Sequence, residues 1–287
     1  MDTSSNLPEG TLYIVATPIG NLEDITMRAV RILREVNLIA AEDTRHTRKL
    51  LNAYDISTQL ISLHEHNEKE RSALIVSRIE SGMSVAYISD AGTPCISDPG
   101  SHLVSFALEN KISVIPVPGP SALIAALCVC GFPVDQFLFC GFLPPKEKKR
   151  RQFLESIQAE EKTMVFYESP SRIADMLQDV CSVLGDRQIV IARELTKVFE
   201  EIKRGRISDI LSQVSSGNAK GEFTVILQGT VYKPVLLTDD EIQEKLLRLW
   251  TERSISLRDA VADVVRQTGL SRKRVYDMAV KVRPVRD

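Results

Sequence analysis

The sequence has little of what marks the specialised protein classes. Only 6% of its 287 residues are aromatic, and its five cysteines, an odd number, suit the reduced thiols of a cytosolic protein better than a disulfide framework. The formal net charge of −2 excludes a uniformly basic nucleic-acid coat but allows local basic patches. The longest purely apolar run, residues 122–130, is far shorter than the ~20 residues that span a bilayer. The first ten residues carry no basic or apolar signal segment. We therefore expect a globular, cytoplasmic protein.

Short apolar runs alternate with amphipathic stretches from Thr11 onward. The runs at residues 11–17, 38–41, 59–63, 85–89 and 112–117 are typical of buried strands. Because most of them are separated by segments of helical period, the pattern predicts a parallel sheet covered by helices.

The pattern pauses near Gly131 and then resumes as a second α/β unit of about 100 residues. From Thr238 onward we find three helical segments and no strand, and the spacing of the last two fits a helix-turn-helix unit. The predicted organisation is a flexible N-terminus (1–10), an α/β domain (11–131), a second α/β domain (132–234) and a C-terminal helical domain (235–287).

Short polar loops follow each predicted strand of the first domain. They comprise residues 18–24, 42–45, 64–67, 90–100 and 118–122, and the first, fourth and fifth of them contain several Asp, Gly, Pro or Ser residues. Each loop alone is explained by ordinary turn chemistry. Since ligands of open α/β sheets bind beyond the carboxyl ends of the strands, five such loops at one sheet edge favour a cofactor cleft.

The motifs of the common nucleotide sites are missing from these loops. Neither G-x-x-x-x-G-K-[ST] nor G-x-G-x-x-G follows the first strand, so no phosphate-cradling site is predicted. An adenosine-bearing sulfonium fits better, because a carboxylate such as Asp90 can hold its polar groups. His64 and His66 are too few ligands for a metal site. Cys128 and Cys130 are expected on a buried helix, as part of the protein core. We predict no metal.

Charged groups recur in the second α/β unit and in the tail. They either form a solvated surface or bind a polyanion such as RNA. Residues 146–151 hold five bases and one acid, and residues 264–286 hold seven bases and one acid. The tail bases Arg272, Lys273 and Arg274 lie in the first turn of a predicted helix, where the helix dipole disfavours positive charge. Bound phosphates would neutralise them, and we therefore expect the tail to bind RNA.

Eight strings in order carry a specific resemblance: ATPIGNLEDIT, AEDTR, SDAGTPCISDPG, VPGPSA, GFLPPK, YESPSR, RELTKVFEE and GEF. From Thr11 to Gly229 the chain resembles the ribosomal RNA small subunit methyltransferase I family, a branch of the tetrapyrrole methylase superfamily. The resemblance implies two α/β domains with S-adenosylmethionine in the cleft between them, and a homodimer. It also implies 2′-O-methylation of a cytidine ribose in small-subunit (16S) rRNA, within the 30S particle.

The resemblance also assigns roles to residues. It places the cofactor on the loop residues Pro18, Asp90, Gly92, Thr93, Pro94, Ser121 and Ala122. Arg45, Arg172 and Lys197 are expected to bind rRNA phosphates or to orient the target ribose. One position departs from the family, which commonly reads YESPHR where this chain has Ser171.

The catalytic group stays open at this point. A ribose 2′-hydroxyl is a poor nucleophile and benefits from a nearby base or from a cation that steadies the alkoxide. Asp43, His64 and Lys146 are the candidates, and the sequence does not choose among them.

Two other functions compete with rRNA methylation. A methyltransferase acting on a porphyrin-type molecule would share the cofactor cleft but need no basic tail, whereas a non-catalytic rRNA-binding assembly factor would keep the tail but could lose the cofactor. Cofactor calorimetry and methyl transfer to 30S particles, naked rRNA and a porphyrin discriminate among the three.

Overall fold

The protein is described by a computed structural model. It describes residues 7–215, 221–230, 237–253, 256–268 and 270–282. Residues 1–6 of the segment expected to be flexible, and the tail bases Arg283 and Arg286, lie outside these ranges. The chain divides into two compact units, one up to Gly229 and one from Thr230. The predicted first α/β domain lies within the first unit, as do residues 132–229 of the predicted second one.

The first sheet is parallel throughout, as predicted. Its strands are β1 (Thr11–Val15), β2 (Leu38–Ala41), β3 (Leu60–Ser62), β4 (Val85–Ile88) and β5 (Ser113–Val117). They lie in the order β3-β2-β4-β1-β5. Apolar side chains cover both faces, with Tyr13 and Val15 of β1 on one face and Leu12 on the other. The central strands are therefore apolar at nearly every position.

Helices follow all five of these strands. They are α1 (Met27–Glu35), α2 (Thr44–Ala53), α3 (Glu68–Glu80), α4 (Ser101–Glu109) and α5 (Ala122–Cys130), and a 3-10 turn (Leu22–Asp24) precedes α1. The sequence pattern did not predict α2. The expectation that Cys128 is in the core is wrong, because Cys128 is exposed on α5, whereas Cys130 is buried.

The second sheet is mixed. Its strands are β6 (Phe137–Phe142), β7 (Thr163–Glu168), β8 (Gln188–Arg193), β9 (Glu201–Arg206) and β10 (Phe223–Leu227), and the helices are α6 (Glu147–Ser156), α7 (Ile173–Leu184) and α8 (Ile207–Ser215). The order is β6-β7-β10-β8-β9, with β6 and β7 parallel and the other pairs antiparallel. Val165, Val190 and Ile226 on one face pack with Leu123 and Leu127 of α5. This helix of the first domain therefore joins the two sheets.

Two of the bases in the run at residues 146–151 have structural partners. Arg150 is buried, and its Nε donates to Asp179 Oδ2 at 2.7 Å. Arg151 Nη1 donates to Oδ1 of the same carboxylate at 2.9 Å. Since a buried carboxylate needs such partners, these two arginines hold α6 against α7 and are committed to the fold.

The part of the second unit that the structure describes forms three helices with a core of their own. They are α9 (Asp239–Arg253), α10 (Leu257–Thr268) and α11 (Arg272–Lys281), and they bury Ile242, Val264 and Val275 among others. Ser271 caps α11, and its side chain accepts from the Arg274 amide. None of the helices in the described ranges has the length and apolarity needed to cross a membrane.

Candidate active site

A cleft of about 530 Å³ lies in the first unit, between the loops of the first sheet and the second sheet. Residues from both predicted α/β domains line it. From the first domain these include Ile19, Glu42, Asp90, Gly92, Thr93, Asp98, Ser121 and Ala122, and from the second Phe142, Tyr167, Glu168, Leu195, Lys197, Glu222 and Thr224. The volume is in the range of cavities that hold drug-sized ligands.

Hydrogen bonds tie together the three loops that follow β1, β4 and β5. Thr17 and Gly92 exchange two backbone hydrogen bonds, at 2.9 and 3.0 Å. Gly92 adopts a φ of 77°, a left-handed conformation that glycine tolerates at no steric cost. Thr93 Oγ1 donates to the Pro120 carbonyl at 3.1 Å. The loops are thus held in one arrangement before any ligand arrives.

Three carboxylates lie on the first-domain side of the cleft. The backbone N–H of Asp43 donates to Asp90 Oδ1 at 3.0 Å, and Glu42 and Asp98 are close enough to Asp90 to interact electrostatically. Burial, followed by repulsion from Asp90, raises the pKa of Glu42, and burial also raises the pKa of Asp98. An acidic wall of this kind favours a ligand with positive charge.

This wall predicts a stability effect at Glu42. A folded-state pKa above the unfolded value means that ionised Glu42 costs stability, and the cost sets in as the pH rises through the unfolded pKa of about 4.3. Glu42→Gln should therefore melt at a higher temperature than the parent protein near neutral pH. The advantage should disappear below the unfolded pKa, where both proteins are uncharged at this position. Thermal melts across this pH range test it, and an equal advantage at all pH values would contradict it.

The opposite wall is anchored by Tyr167 and Glu168 at the end of β7. Tyr167 Oη accepts from the Leu123 amide at 3.1 Å, which satisfies one of the free N–H groups at the start of α5. Glu168 is buried and pairs with Arg172 Nη2 at 3.1 Å, and the Ser169 amide donates to its other oxygen at 2.8 Å. Burial raises the pKa of Glu168 although Arg172 opposes the shift.

A double turn formed by residues 194–200 closes one end of the cleft. Lys197 Nζ lies 2.8 Å from Glu194 Oε1 and 3.2 Å from Glu222 Oε2. Burial alone would lower the pKa of Lys197, but the hydrogen bond to Glu194 and the charge of Glu222 outweigh it and raise the pKa. A Cβ on Gly20 would collide with the Lys197 side chain, so the loop after β1 packs directly against this double turn.

The structure brings together most of the residues expected to bind a cofactor. Asp90, Gly92, Thr93, Ser121 and Ala122 all line the cleft. Ser121 is the N-cap of α5, and its side chain makes no capping hydrogen bond, so its hydroxyl is available to a ligand. Pro18 and Pro94 belong to the same loops, but neither is among the described residues that line the cleft.

The three catalytic candidates are not brought together. Asp43 caps α2 by accepting from the Arg45 amide at 2.8 Å. His64 follows the edge strand β3, where its backbone N–H donates to Asn67 Oδ1, and its ring lies 6.0 Å from that of His66. Lys146 is exposed at the start of α6. Among the described cleft-lining residues none of the three occurs. No group of three His, Cys, Asp or Glu residues suited to a metal is found within the described ranges.

The candidate RNA-binding bases differ in how firmly they are held. Arg45 is exposed, and Asp43 is its one ion-pair partner among the described residues, at 3.2 Å. Arg172 also donates to the Leu143 carbonyl at 2.5 Å and is partly buried. In the second unit, Arg274 Nη2 donates to Asp239 Oδ1 at 2.7 Å, whereas Arg272 and Lys273 are exposed and have no ion pair with any described residue.

Sequence reasoning missed several groups of the cleft. Glu42, Asp98, Tyr167 and Glu168 line it, although the first two stand in the same loops as the predicted residues. A usable signal was present: Glu42 directly follows the buried strand β2, and Tyr167 and Glu168 close β7. With its acidic wall, free hydroxyl and glycine-bearing loop, the cleft can hold a cationic ligand of nucleoside size.

Comparisons with known proteins agree with this architecture. A family model described as Tetrapyrrole (Corrin/Porphyrin) Methylases matches residues 11–211. Among solved structures, cobalt precorrin-4 methyltransferase is similar with a TM-score of 0.58 and 14% identity, over 78% of this chain and 98% of the other. Uroporphyrin-III-C-methyltransferase from Thermus thermophilus is similar with a TM-score of 0.53 and 17% identity, over 76% and 94%. At such identities the likeness concerns the fold alone.

Relatives of higher identity share a different name. Proteins named ribosomal RNA small subunit methyltransferase I are 43% identical in Halalkalibacterium halodurans, over 94% of each chain, and 42% identical in Escherichia coli O157:H7, over 97% of each chain. The protein of that name in Xylella fastidiosa is 52% identical over 77% of this chain and 82% of its own. This chain belongs to the tetrapyrrole methylase family, in the branch formed by the ribosomal RNA small subunit methyltransferase I proteins.

Proposed function

We propose that this protein is a methyltransferase that uses S-adenosylmethionine to methylate the 2′-hydroxyl of a cytidine ribose in small-subunit (16S) rRNA. The observation that carries the proposal is the joint occurrence of an acidic, preformed cleft with relatives named for small-subunit rRNA methylation. We further propose that it acts as a cytoplasmic homodimer on the 30S particle, as the family resemblance implies.

The residues of the cleft fit S-adenosylmethionine. That molecule carries positive charge on its sulfonium and its ammonium group, and the first-domain wall presents Glu42, Asp90 and Asp98. Burial and then repulsion from Asp90 raise the pKa of Glu42, and a cation there would offset the repulsion. Asp90, Gly92, Thr93, Ser121 and Ala122 would hold the cofactor, with backbone of the second domain closing the site. When bound, S-adenosylmethionine supplies an electrophilic methyl group.

The chain's own contribution is then position and charge. Methyl transfer from a sulfonium is an in-line displacement, so fixing the ribose oxygen behind the methyl group supplies much of the rate. The hydrogen-bonded loops fix one partner, and Arg45, Arg172 and Lys197 are proposed to orient the RNA. Asp43, His64 and Lys146 remain proposals for the group that assists the hydroxyl. None of the three is among the described residues that line the cleft, so each would have to act on a ribose held outside that lining.

The most direct test is transfer of a labelled methyl group to undermethylated 30S particles. Naked rRNA and a porphyrin serve as the competing acceptors, and nuclease digestion followed by mass spectrometry locates the methyl group on ribose or base. Label on a cytidine 2′-oxygen is the expected result. Transfer to the porphyrin alone, or no transfer despite cofactor binding, would overturn the proposal. Analytical ultracentrifugation tests the dimer.

Arg45 allows the RNA contacts to be separated from the fold. Its side chain is exposed, and an exposed ion pair such as the one with Asp43 contributes little to stability because solvent screens it. Arg45→Ala should therefore keep its melting temperature and cofactor affinity while RNA binding weakens. The slope of log K against log salt should fall by about 0.7–0.9, because the variant neutralises one phosphate fewer.

Lys197→Ala is the informative comparison, since it leaves Glu194 and Glu222 without their shared cation. If it lowers the melting temperature in step with activity, Lys197 is a structural ion-pair member. Binding titrations at several salt concentrations and thermal melts on both variants give the answer. A salt slope unchanged in Arg45→Ala would remove Arg45 from the RNA-binding residues.

A further inference from the structure

Two adjacent apolar side chains stand in solvent at the tip of the double turn. Val198 is 93% exposed and Phe199 is 75% exposed. They are the central residues of the turn that closes where the Glu200 amide donates to the Lys197 carbonyl at 3.0 Å. Central turn positions are usually occupied by Gly, Pro, Asn, Asp or Ser, for which solvent exposure has no cost. The exposure of a valine and a phenylalanine at these positions therefore indicates that they contact a binding partner.

The double turn is held rigidly in an unfavourable backbone conformation. Glu194 and Thr196 have φ values of 51° and 67°, and a β-branched residue such as threonine rarely adopts the left-handed region. The surroundings hold it there, because the Thr196 amide donates to Glu200 Oε2 at 2.6 Å and Lys197 bridges Glu194 and Glu222. Strain maintained in this way is characteristic of sites that position a ligand. The tip is therefore presented in a fixed place.

That place is beside the cleft. Leu195 and Lys197 line the cleft, and Val198 and Phe199 follow directly in the chain. A Cβ on Gly20 would also collide with Lys197, so the turn abuts the loop that follows β1. A group bound on the Phe199 ring would consequently lie next to whatever enters the cleft from solvent.

We propose that Phe199 is a stacking platform for an unpaired nucleobase of the RNA substrate, with Val198 packing beside it. The inference rests on the proposed function and adds to it a residue that positions the substrate. A ribose that must enter a protein cleft belongs to a nucleotide taken out of its helical stack, and this costs stacking energy. Stacking of the displaced base on an exposed aromatic ring beside the cleft would offset part of that cost, because every base has a face that can stack on such a ring.

The size of the tip favours a base over a second protein chain. A stable protein interface buries about 1,200–2,000 Å², whereas the tip offers two side chains flanked by Lys197 and Glu200. The Phe199 ring and the two methyl groups of Val198 are similar in size to the face of a single base.

The test compares single substitutions at the tip in the full-length protein. Removing a stacked aromatic ring weakens binding by about 5- to 150-fold. Phe199→Ala should therefore raise the KM for 30S particles by that factor, while S-adenosylmethionine affinity by calorimetry stays unchanged. Val198→Ala is the matched control and should have a much smaller effect. Phe199→Tyr should restore the KM, whereas Phe199→Leu, which is apolar but has no ring face, should not.

A fluorescence signal makes the stacking visible. The chain has one tryptophan, Trp250, so Phe199→Trp adds a single reporter whose signal is the difference from the parent protein. Its emission should be quenched on addition of a single-stranded oligocytidine RNA and not on addition of a duplex.

The outcomes separate the two proposals. Absence of methyl transfer to 30S particles by the parent protein would defeat the proposed function. If the parent protein transfers methyl groups but Phe199→Ala shows the same KM, or if Phe199→Leu behaves like the parent, the stacking role is wrong. A loss of oligomeric state in Phe199→Ala, seen by sedimentation, would instead assign the tip to an interface between two copies of the chain and would equally overturn it.

Discussion

Asp90→Ala is expected to lower the affinity for S-adenosylmethionine by about 10- to 150-fold, the range that corresponds to one hydrogen bond to a charged group. Asp90 follows the buried strand β4, which lies between β2 and β1 at the centre of the first sheet. Its carboxylate lines the cleft, so it is placed to accept from hydroxyl or ammonium groups of the ligand. Isothermal titration calorimetry on the purified variant measures the effect.

The same carboxylate also has a role within the protein, and the control must separate the two. Asp90 Oδ1 accepts from the Asp43 backbone amide, so alanine leaves that N–H without its partner. Asp90→Asn keeps an acceptor oxygen for this amide but removes the negative charge. If Asp90→Asn binds the cofactor like the parent while Asp90→Ala does not, the loop geometry matters and the charge does not. Undiminished affinity in a folded Asp90→Ala variant would refute the assignment of the cleft.

The sequence predicted which residues follow strands, but not which strands are neighbours. The loops after β1, β4 and β5 meet because the order β3-β2-β4-β1-β5 places these three strands side by side. Strand order depends on long-range packing and has no local signal. His64 follows β3 at the sheet edge, and this explains why a residue that looked equivalent to Asp90 in the sequence is not among the residues lining the cleft.

Local propensity also failed where polar residues form regular structure. The helix α2 begins directly after Asp43, so a carboxylate interpreted as catalytic is the N-cap of a helix whose sequence, TRHTRKLLNA, is mostly polar. The strand β9, EIKRGR, lies at the edge of the described sheet beside β8 and carries charged side chains, as exposed edges commonly do. The charged side chains of α2 and β9 removed the apolar pattern by which a helix or a strand is recognised in a sequence.

Removal of residues 238–287 is expected to weaken binding to the small ribosomal subunit and to flatten its salt dependence, while cofactor affinity is retained. The first unit has apolar cores of its own on both sheets, and every described residue that lines the cleft belongs to it. Arg272 and Lys273 are exposed in the first turn of α11 and have no ion pair with any described residue. If these two alone contact phosphates, the slope of log K against log salt falls by about 1.4–1.8. Filter binding across a salt series gives this slope.

Point variants decide whether the tail binds RNA through these bases or through its shape. Arg272→Ala combined with Lys273→Ala should reproduce most of the weakening seen on deletion, and it should leave the melting of the helical unit unchanged because both side chains are exposed. Arg274→Ala is the matched control: Arg274 donates to Asp239 Oδ1 and to the Leu237 carbonyl, so its removal should loosen the packing between α11 and the start of α9. A double variant that methylates 30S particles with the parent's efficiency and salt dependence would show that the first turn of α11 does not anchor the RNA.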